Sequence, residues 1–404
     1  MTLRLDAYRS LWRDQAELGR DPRRGGYSRH GFDDADLALR EWFAAEAEAR
    51  GLVVEPDRNG NLWAWFGAPG PDAVVTGSHL DSVPGGGAFD GPLGVLSALL
   101  ALDVLEARRF QPRRPLAVVV FAEEEGSRFG VPCLGSRLLT GEFDADAARR
   151  LTDSDGVSLP EAVHRAGVDP AGLGADKQAL GRIGVFVELH VEQGRAMIDL
   201  DAPVAVASTI LAHGRWRLTF HGEGNHAGST ALDDRRDPML PAAHTVAAAR
   251  RVAGKVTGAR ATVGRVEANP GGTNVIASTV DVWLDARAPS SPDVRTLVDE
   301  LVGHAEHVAH AEGCRLTVHE ESFGGRVVLD PALRTRLAGW LGGVPVLPTG
   351  AGHDAGILAA HVPSAMLFVR NPTGVSHAPG EHAEEDDCLA GIDALAAVLE
   401  HLAL

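Results

Sequence analysis

Residues 73–81 read Ala73-Val74-Val75-Thr76-Gly77-Ser78-His79-Leu80-Asp81, an apolar run that ends on a turn carrying a histidine and an aspartate. The run is continuous rather than alternating, as in a parallel strand buried on both faces. Residues 91–107 follow at helical spacing, and Leu116 to Phe121 is a second continuous apolar run. Strand, helix and strand in that order specify a βαβ unit and an α/β sheet. Polar side chains just beyond the strands of such a sheet line its binding crevice. Three short segments fall there: Gly77 to Asp81, Phe89-Asp90-Gly91, and Glu123-Glu124-Glu125-Gly126.

Working outward, residues 36–50 repeat Leu39, Trp42, Phe43 and Ala47 at helical spacing and stop before Gly51. Leu52 to Val54 and Leu62 to Phe66 alternate like paired strands, with Asn59-Gly60 as a turn signal. The pattern changes near residue 209. Arg215 to His221 alternates, residues 238–255 are an amphipathic helix, and Ala261 to Glu267 and Thr279 to Ala288 are strand candidates. A helix at 292–312 and a strand at Arg315 to His319 complete a β-α-β-β-α-β series, which describes a small two-layer α+β domain. Beyond Gly324-Gly325 the α/β pattern returns, with an apolar strand at Ser364 to Val369. The expected architecture is a catalytic α/β domain, a mixed sheet flanked by helices, built from residues 1–208 and 326–404. A smaller domain at 209–325 interrupts it.

The chain has 404 residues, enough for about two cores. Its formal net charge of −17, with no basic block, argues against a nucleic-acid groove or an anionic membrane surface as partner. Three cysteines, Cys133, Cys314 and Cys388, are an odd number without CxxC spacing, which fits a reduced cytoplasm rather than a disulfide framework. The stretch from Met1 to Arg13 lacks the apolar core of a signal peptide, and 91–107 is too short to span a bilayer. A cytoplasmic location is expected.

Histidine nitrogens and carboxylates clustered at positions 79–125 suit zinc, manganese, cobalt or nickel. His79 and Asp81 form an H-x-D pair, in which the aspartate fixes the tautomer of a metal-bound imidazole. Asp90 has two oxygens with which to bridge two metals; its structural alternative is a cap for the helix that follows. Three adjacent acids at Glu123 to Glu125 repel one another unless a cation is present, and the alternative there is a solvated loop. Glu188-Leu189-His190-Val191-Glu192-Gln193-Gly194 follows another strand-like run, and Ser376-His377-Ala378-Pro379-Gly380-Glu381 places a histidine in a loop.

The series GSHLDSV (77–83), FDGPLGV (89–95), EEEGSRFG (123–130), ELHVEQG (188–194), GNHAGST with DDRRDP (224–238), GGTNVI (271–276), LDAR (284–287), AGHDA (351–355) and SHAPGE (376–381) resembles that of the M20-type metallo-amidohydrolases. The resemblance covers nearly the whole chain and is nearest the branch of allantoate amidohydrolase, N-carbamoyl-L-amino acid hydrolase and β-ureidopropionase. It implies two divalent metal ions per subunit, one held by His79, Asp90 and His190 and the other by Asp90, Glu125 and His377. It makes Glu124 the general base and Asp81 the carboxylate that orients His79. It makes 209–325 a lid through which subunits form homodimers and which sends His226 into an active site, its own or the partner's.

Substrate contacts implied by the same motifs are Gln193, His226, Asn274, Arg287 and His353. Arg287 has an independent rationale, because a planar guanidinium grips a carboxylate through two parallel hydrogen bonds; its structural alternative is an ion pair with Asp285. Asn274 reads alternatively as a turn residue, and His353 as one half of a pair with Asp354. Thr230-Ala231-Leu232 stands where the family carries Thr-Pro-Met, and Arg215 and Arg217 have no assigned place. The implied reaction is hydrolysis of a linear amide or ureido C–N bond in a small carboxylate substrate, allantoate or an N-carbamoyl-L-amino acid, with release of ammonia and carbon dioxide. Deformylation of an N-formyl amino acid such as N-formylglutamate, M20-type dipeptidase or aminopeptidase action, and a non-enzymatic metal- or ligand-binding role are the competing readings.

Overall fold

The computed structural model describes residues 2–404, with side chains from Arg4 onward. The chain forms two compact units. One runs up to Thr209 and resumes at Val328; the other spans Ile210–Val327.

The first unit is built on a mixed sheet. In spatial order its main strands are Val53–Pro56, Leu62–Phe66, Leu116–Phe121, Ala73–His79, Ile183–Val191, Ser364–Val369 and Val204–Ile210, the last of which also pairs with the short strand Val346–Thr349. The four in the middle run parallel, and the pairings outside them are antiparallel. All four middle strands are buried along almost their whole length, which explains their unbroken apolar composition. Their parallel direction also brings their carboxyl ends to one edge. His79 closes one strand, Glu123 to Glu125 follow the next, and His190 is the penultimate residue of a third. The loop holding His377 follows the fourth.

Helix Pro92–Ala107 is the crossover between the first two of these strands and is buried from Pro92 to Leu102. It packs against the sheet on one side and against helix Glu385–Leu402 on the other. Two packed sides leave no room for a polar stripe, so the helix is apolar all round. Gly91 is its N-cap, at φ 85°, with no side-chain cap hydrogen bond. The helix-cap alternative for Asp90 therefore fails, and its carboxylate is directed elsewhere.

The second unit is a four-stranded antiparallel sheet in the order Arg315–Gly324, Ala212–His221, Thr279–Ala288, Arg260–Asn269. Helices Met239–Ala253 and Ser291–Ala311 cover one face. Alternation decides the facing: Trp216, Leu218 and Phe220 are buried, whereas Arg215, Arg217, Thr219 and His221 point to the other side. A two-stranded ribbon, Asn225–His226 with Val275–Ile276, was not legible in the sequence, because two residues a side carry no periodicity. No helix among the described residues is long and apolar enough to cross a membrane.

Leu99 lies fully buried in the middle of the crossover helix. Leu99→Ala is expected to destabilise the protein by about 2–5 kcal/mol, read as a lower unfolding midpoint in denaturant. An unchanged midpoint would contradict this packing.

Candidate metal centre

At the carboxyl edge of the parallel strands, His79, Asp90 and His190 bring ligand atoms within 4.8 Å of one another, and so do Asp90, Glu125 and His377. Asp90 belongs to both groups, and its two oxygens face different ways. Oδ1 lies 3.5 Å from His79 Nε2 and 3.1 Å from His190 Nε2, while Oδ2 lies 3.3 Å from His377 Nε2. His377 Nε2 is also 3.5 Å from Glu125 Oε2.

Both inner histidines have a fixed tautomer. His79 Nδ1–H donates to the carbonyl of Asp81 at 3.0 Å, and His190 Nδ1–H to that of Val191 at 2.9 Å. Each Nε2 is left as a lone pair aimed at Asp90, the orientation that a metal-ligating imidazole needs. Those Nε2 atoms are buried without a hydrogen-bond partner, as is Glu125 Oε1. Buried polar atoms with no partner are rare, and cations held in the two groups would satisfy them. The residues present therefore fit divalent metals.

The aspartate of the H-x-D pair acts differently from expectation. Its carboxylate lies 3.7 Å from His79 Nδ1, beyond hydrogen-bond range, and accepts instead from the backbone N–H of Glu124 at 3.1 Å and Glu125 at 3.0 Å. The backbone carbonyl of Asp81 orients the histidine, and the carboxylate orients the peptides that carry the acids. Two N–H donors outcompete one imidazole because the turn after Phe121 presents both at once.

The three adjacent glutamates separate. Glu123, at φ 53°, turns away and accepts from Gly31 N, Arg128 N and Phe129 N at 3.0, 2.8 and 2.7 Å. Glu125 goes to His377. Glu124 receives one donor, the Cys133 thiol, at 3.2 Å to Oε1, and its Oε2 lies 3.7 Å from His79 Nε2. Burial pushes Glu124 well above the usual carboxylate range, with Asp354, Glu125 and Asp81 adding to the rise and His79 opposing it. Burial and the neighbouring Asp90 charge push Glu125 up to about 7. Burial would also raise Asp90, but the close approach of His190, His377 and His79 outweighs it and holds that carboxyl well below the usual range. The Asp90 hydrogen bond lifts His377 to about 9.

Gln193 lies at the same edge. Its Nε2 donates to Asp90 Oδ2 at 2.8 Å and Ser376 Oγ at 3.2 Å, and its buried Oε1 has no partner. His353 packs edge-on against His190, ring centroids 4.6 Å apart, with Nε2 buried and unpartnered. It is not paired with Asp354, which accepts from the Ser136 hydroxyl at 2.5 Å.

The other expected contacts belong to the second unit. His226 and Asn274 meet on the short ribbon, where Ala227 N donates to the Asn274 carbonyl at 3.0 Å. Gly228 N and Ser229 N both donate to His226 Nδ1, at 3.0 and 3.2 Å. Its neutral form therefore carries the proton on Nε2, and the ring is exposed. Arg287 sets Nε and Nη2 on Asp285 at 2.7 and 3.0 Å, the ion-pair alternative. Arg215 lies 3.8 Å from the same carboxylate, so two guanidiniums share one acid. Arg217 lies 3.9 Å from Glu321.

The sequence reading passed over Cys133, Glu188 and Glu381. Glu188 had a signal, as the one acid inside a strand buried on both faces; it accepts from Ser78 Oγ and Ala355 N. Cys133 had none, because its thiol reaches Glu124 through a loop turn.

Residues 75–401 match the family model for peptidase family M20/M25/M40. The chain is 35% identical over 395 residues to the N-carbamoyl-L-amino acid amidohydrolase of Geobacillus stearothermophilus, covering 95% of this chain and 96% of that one. It is 33% identical to the allantoate amidohydrolase of Bacillus subtilis (strain 168) over 92% of this chain and 90% of the other. Among solved structures, an amidase of the hydantoinase/carbamoylase family from Burkholderia vietnamiensis superposes with a TM-score of 0.87 at 30% identity, covering 98% and 97%.

Because Asp90 faces both groups, Asp90→Asn is expected to weaken divalent-cation binding in both by more than the roughly 10–100-fold typical of losing a supporting residue. Calorimetric titration with manganese or zinc reads this. Loss confined to one equivalent would remove Asp90 from its bridging position.

Proposed function

The chain belongs to peptidase family M20/M25/M40, and from that membership and the site geometry we propose that it hydrolyses a ureido C–N bond in a small carboxylate substrate, allantoate or an N-carbamoyl-L-amino acid. The protein is an amidohydrolase that acts on C–N bonds other than peptide bonds. The observation that carries the two-ion hydrolytic mechanism is the divided Asp90 carboxylate, one oxygen toward His79 and His190 and the other toward His377.

Two divalent ions would be held by His79, Asp90 and His190 and by Asp90, Glu125 and His377, supplying Lewis-acid activation of a water and of the substrate carbonyl. Glu124 takes the proton of the attacking water and returns it to the departing nitrogen. Its raised proton affinity suits both halves of that transfer, and the Cys133 thiol fixes Oε1 so that Oε2 is the exchanging atom. His226 donates from Nε2 to the carbonyl oxygen as negative charge develops there. The two backbone donors on its Nδ1 support this, because they exclude the opposite tautomer. The unpartnered Oε1 of Gln193 accepts a ureido N–H. Arg287 anchors the substrate carboxylate, since a planar guanidinium can grip it through two parallel hydrogen bonds. Asn274, next to the His226 ribbon, and His353, edge-on to His190, complete the proposed substrate contacts. Binding energy far from the scissile bond then positions it when residues 209–325 close as a lid. The same segment is the proposed homodimer contact, and the proposed compartment is the cytoplasm.

His190 favours this branch over the peptidases, which use a carboxylate at that position. The test is ammonia release from metal-loaded protein with allantoate, N-carbamoyl-L-amino acids and β-ureidopropionate, with amine release from N-formyl-L-glutamate and a dipeptide panel in parallel. Turnover of a ureido acid that a chelator abolishes is expected; turnover of dipeptides alone would overturn the proposal. Glu124→Gln is expected to keep its metals and lose several orders of magnitude in kcat. Retained turnover would take the base role from Glu124.

A further inference from the structure

We propose that Glu381 is a positioning residue that clamps the Asp90 loop to the His377 loop, so that two cation ligands from distant parts of the chain keep the spacing that the second ion needs. The inference rests on the two-cation reading above.

Glu381 is 5% exposed. Its Oε1 accepts from the backbone N–H of both Phe89 and Asp90, each at 2.9 Å. Its Oε2 accepts from the Ser376 hydroxyl at 3.2 Å, and its own N–H donates to the carbonyl of Ala378 at 3.1 Å. That last bond closes the turn 378–381, which directly follows His377 at φ 56°. Glu381 therefore fixes the peptide that carries Asp90 and the Ser376 side of His377 through its side chain, and the turn after His377 through its backbone.

Glu381 accepts the N–H of the Phe89–Asp90 peptide, whose carbonyl accepts from Leu93 N at 3.0 Å. The helix that begins just beyond it has no side-chain cap at Gly91, and no backbone N–H reaches the Asp90 carboxylate among the described residues. A carboxylate buried without a Lys or Arg partner is costly unless hydrogen-bonded, and backbone donors meet that need here. The fit is tight on the opposite side as well. A Cβ added at Gly87 would fall 2.2 Å from Glu381 Oε1 and 2.5 Å from its Cβ. Gly87 does not adopt a left-handed conformation, so contact with Glu381 is what excludes a side chain there.

Manganese or zinc titration of wild type, Glu381→Ala, Glu381→Gln and Gly87→Ala, with circular dichroism as the check on folding, tests the clamp. Wild type is expected to take two equivalents. Glu381→Ala is expected to weaken the ion held by Asp90, Glu125 and His377 by roughly 10–100-fold, the usual effect of losing a residue that orients a ligand, and to weaken the other, which shares Asp90 but not the His377 loop, by less. Glu381→Gln keeps the oxygen that accepts both N–H groups and is expected to bind as wild type. Gly87→Ala displaces the same carboxylate without altering any ligand and is expected to repeat the loss, so it decides the matter where Glu381→Ala does not fold. Wild-type binding of both ions by Glu381→Ala or by Gly87→Ala would overturn the clamp, as would a Glu381→Gln loss equal to that of alanine. A wild-type protein that takes fewer than two equivalents would overturn the two-cation reading itself, and the clamp with it.

Discussion

The structure depends on how a concentration of like charge is held inside an apolar sheet. Asp81, Asp90, Glu123, Glu124, Glu188, Asp354 and Glu381 are all buried in the first unit, and none has a Lys or Arg partner among the described residues. Two charges about 4 Å apart at an effective dielectric near 20 repel by about 4 kcal/mol. A few such pairs would match the roughly 5–15 kcal/mol net stability of a whole domain. The fold can keep these acids only where hydrogen bonds, protons or cations offset the repulsion.

Hydrogen bonding divides these acids and the half-buried Glu125 into two sets, with Asp354, bonded to the Ser136 hydroxyl, in neither. Asp81, Glu123, Glu188 and Glu381 accept from backbone N–H groups, which stabilise the charge in place and define supports. Asp90, Glu124 and Glu125 accept none among the described residues and face histidines or a thiol instead. The second set has coordination capacity to spare, which the proposed pair of cations would neutralise beside Glu124. The parallel strands cause the arrangement, because their common direction sends every one of these turns to the same edge. Sequence neighbours such as Glu123 and Glu124 then serve opposite purposes, one structural and one chemical.

Much of this was legible in the chain. The continuous apolar runs at 73–76 and 116–121 gave the parallel strands, and the alternation in 215–221 and 279–288 gave the antiparallel ones. His79, Asp90, Glu125, His190 and His377 follow strand ends or the loops just beyond them, where sequence position and spatial position coincide. Contacts that depend on loop conformation were not legible. The Asp81 carboxylate turned to the peptides of Glu124 and Glu125 rather than to His79, a choice set by the turn after Phe121. Arg287 and Asp285 lie two apart on one strand and so share a face, which made their ion pair foreseeable, but the approach of Arg215 from the neighbouring strand needed the register. Glu381 reaches Phe89 and Asp90 across almost the whole chain, and no periodicity signals such a contact.

The central claim is that one carboxylate divides two ions between two sets of histidines. The most direct measurement is anomalous diffraction from crystals grown with manganese or zinc. The account predicts two peaks on either side of the Asp90 carboxylate, about 3.5–4 Å apart as in other two-metal sites. The peak on the Oδ1 side would be reached by His79 and His190, and the peak on the Oδ2 side by Glu125 and His377. A single peak, or two peaks of which one does not touch Asp90, would contradict it.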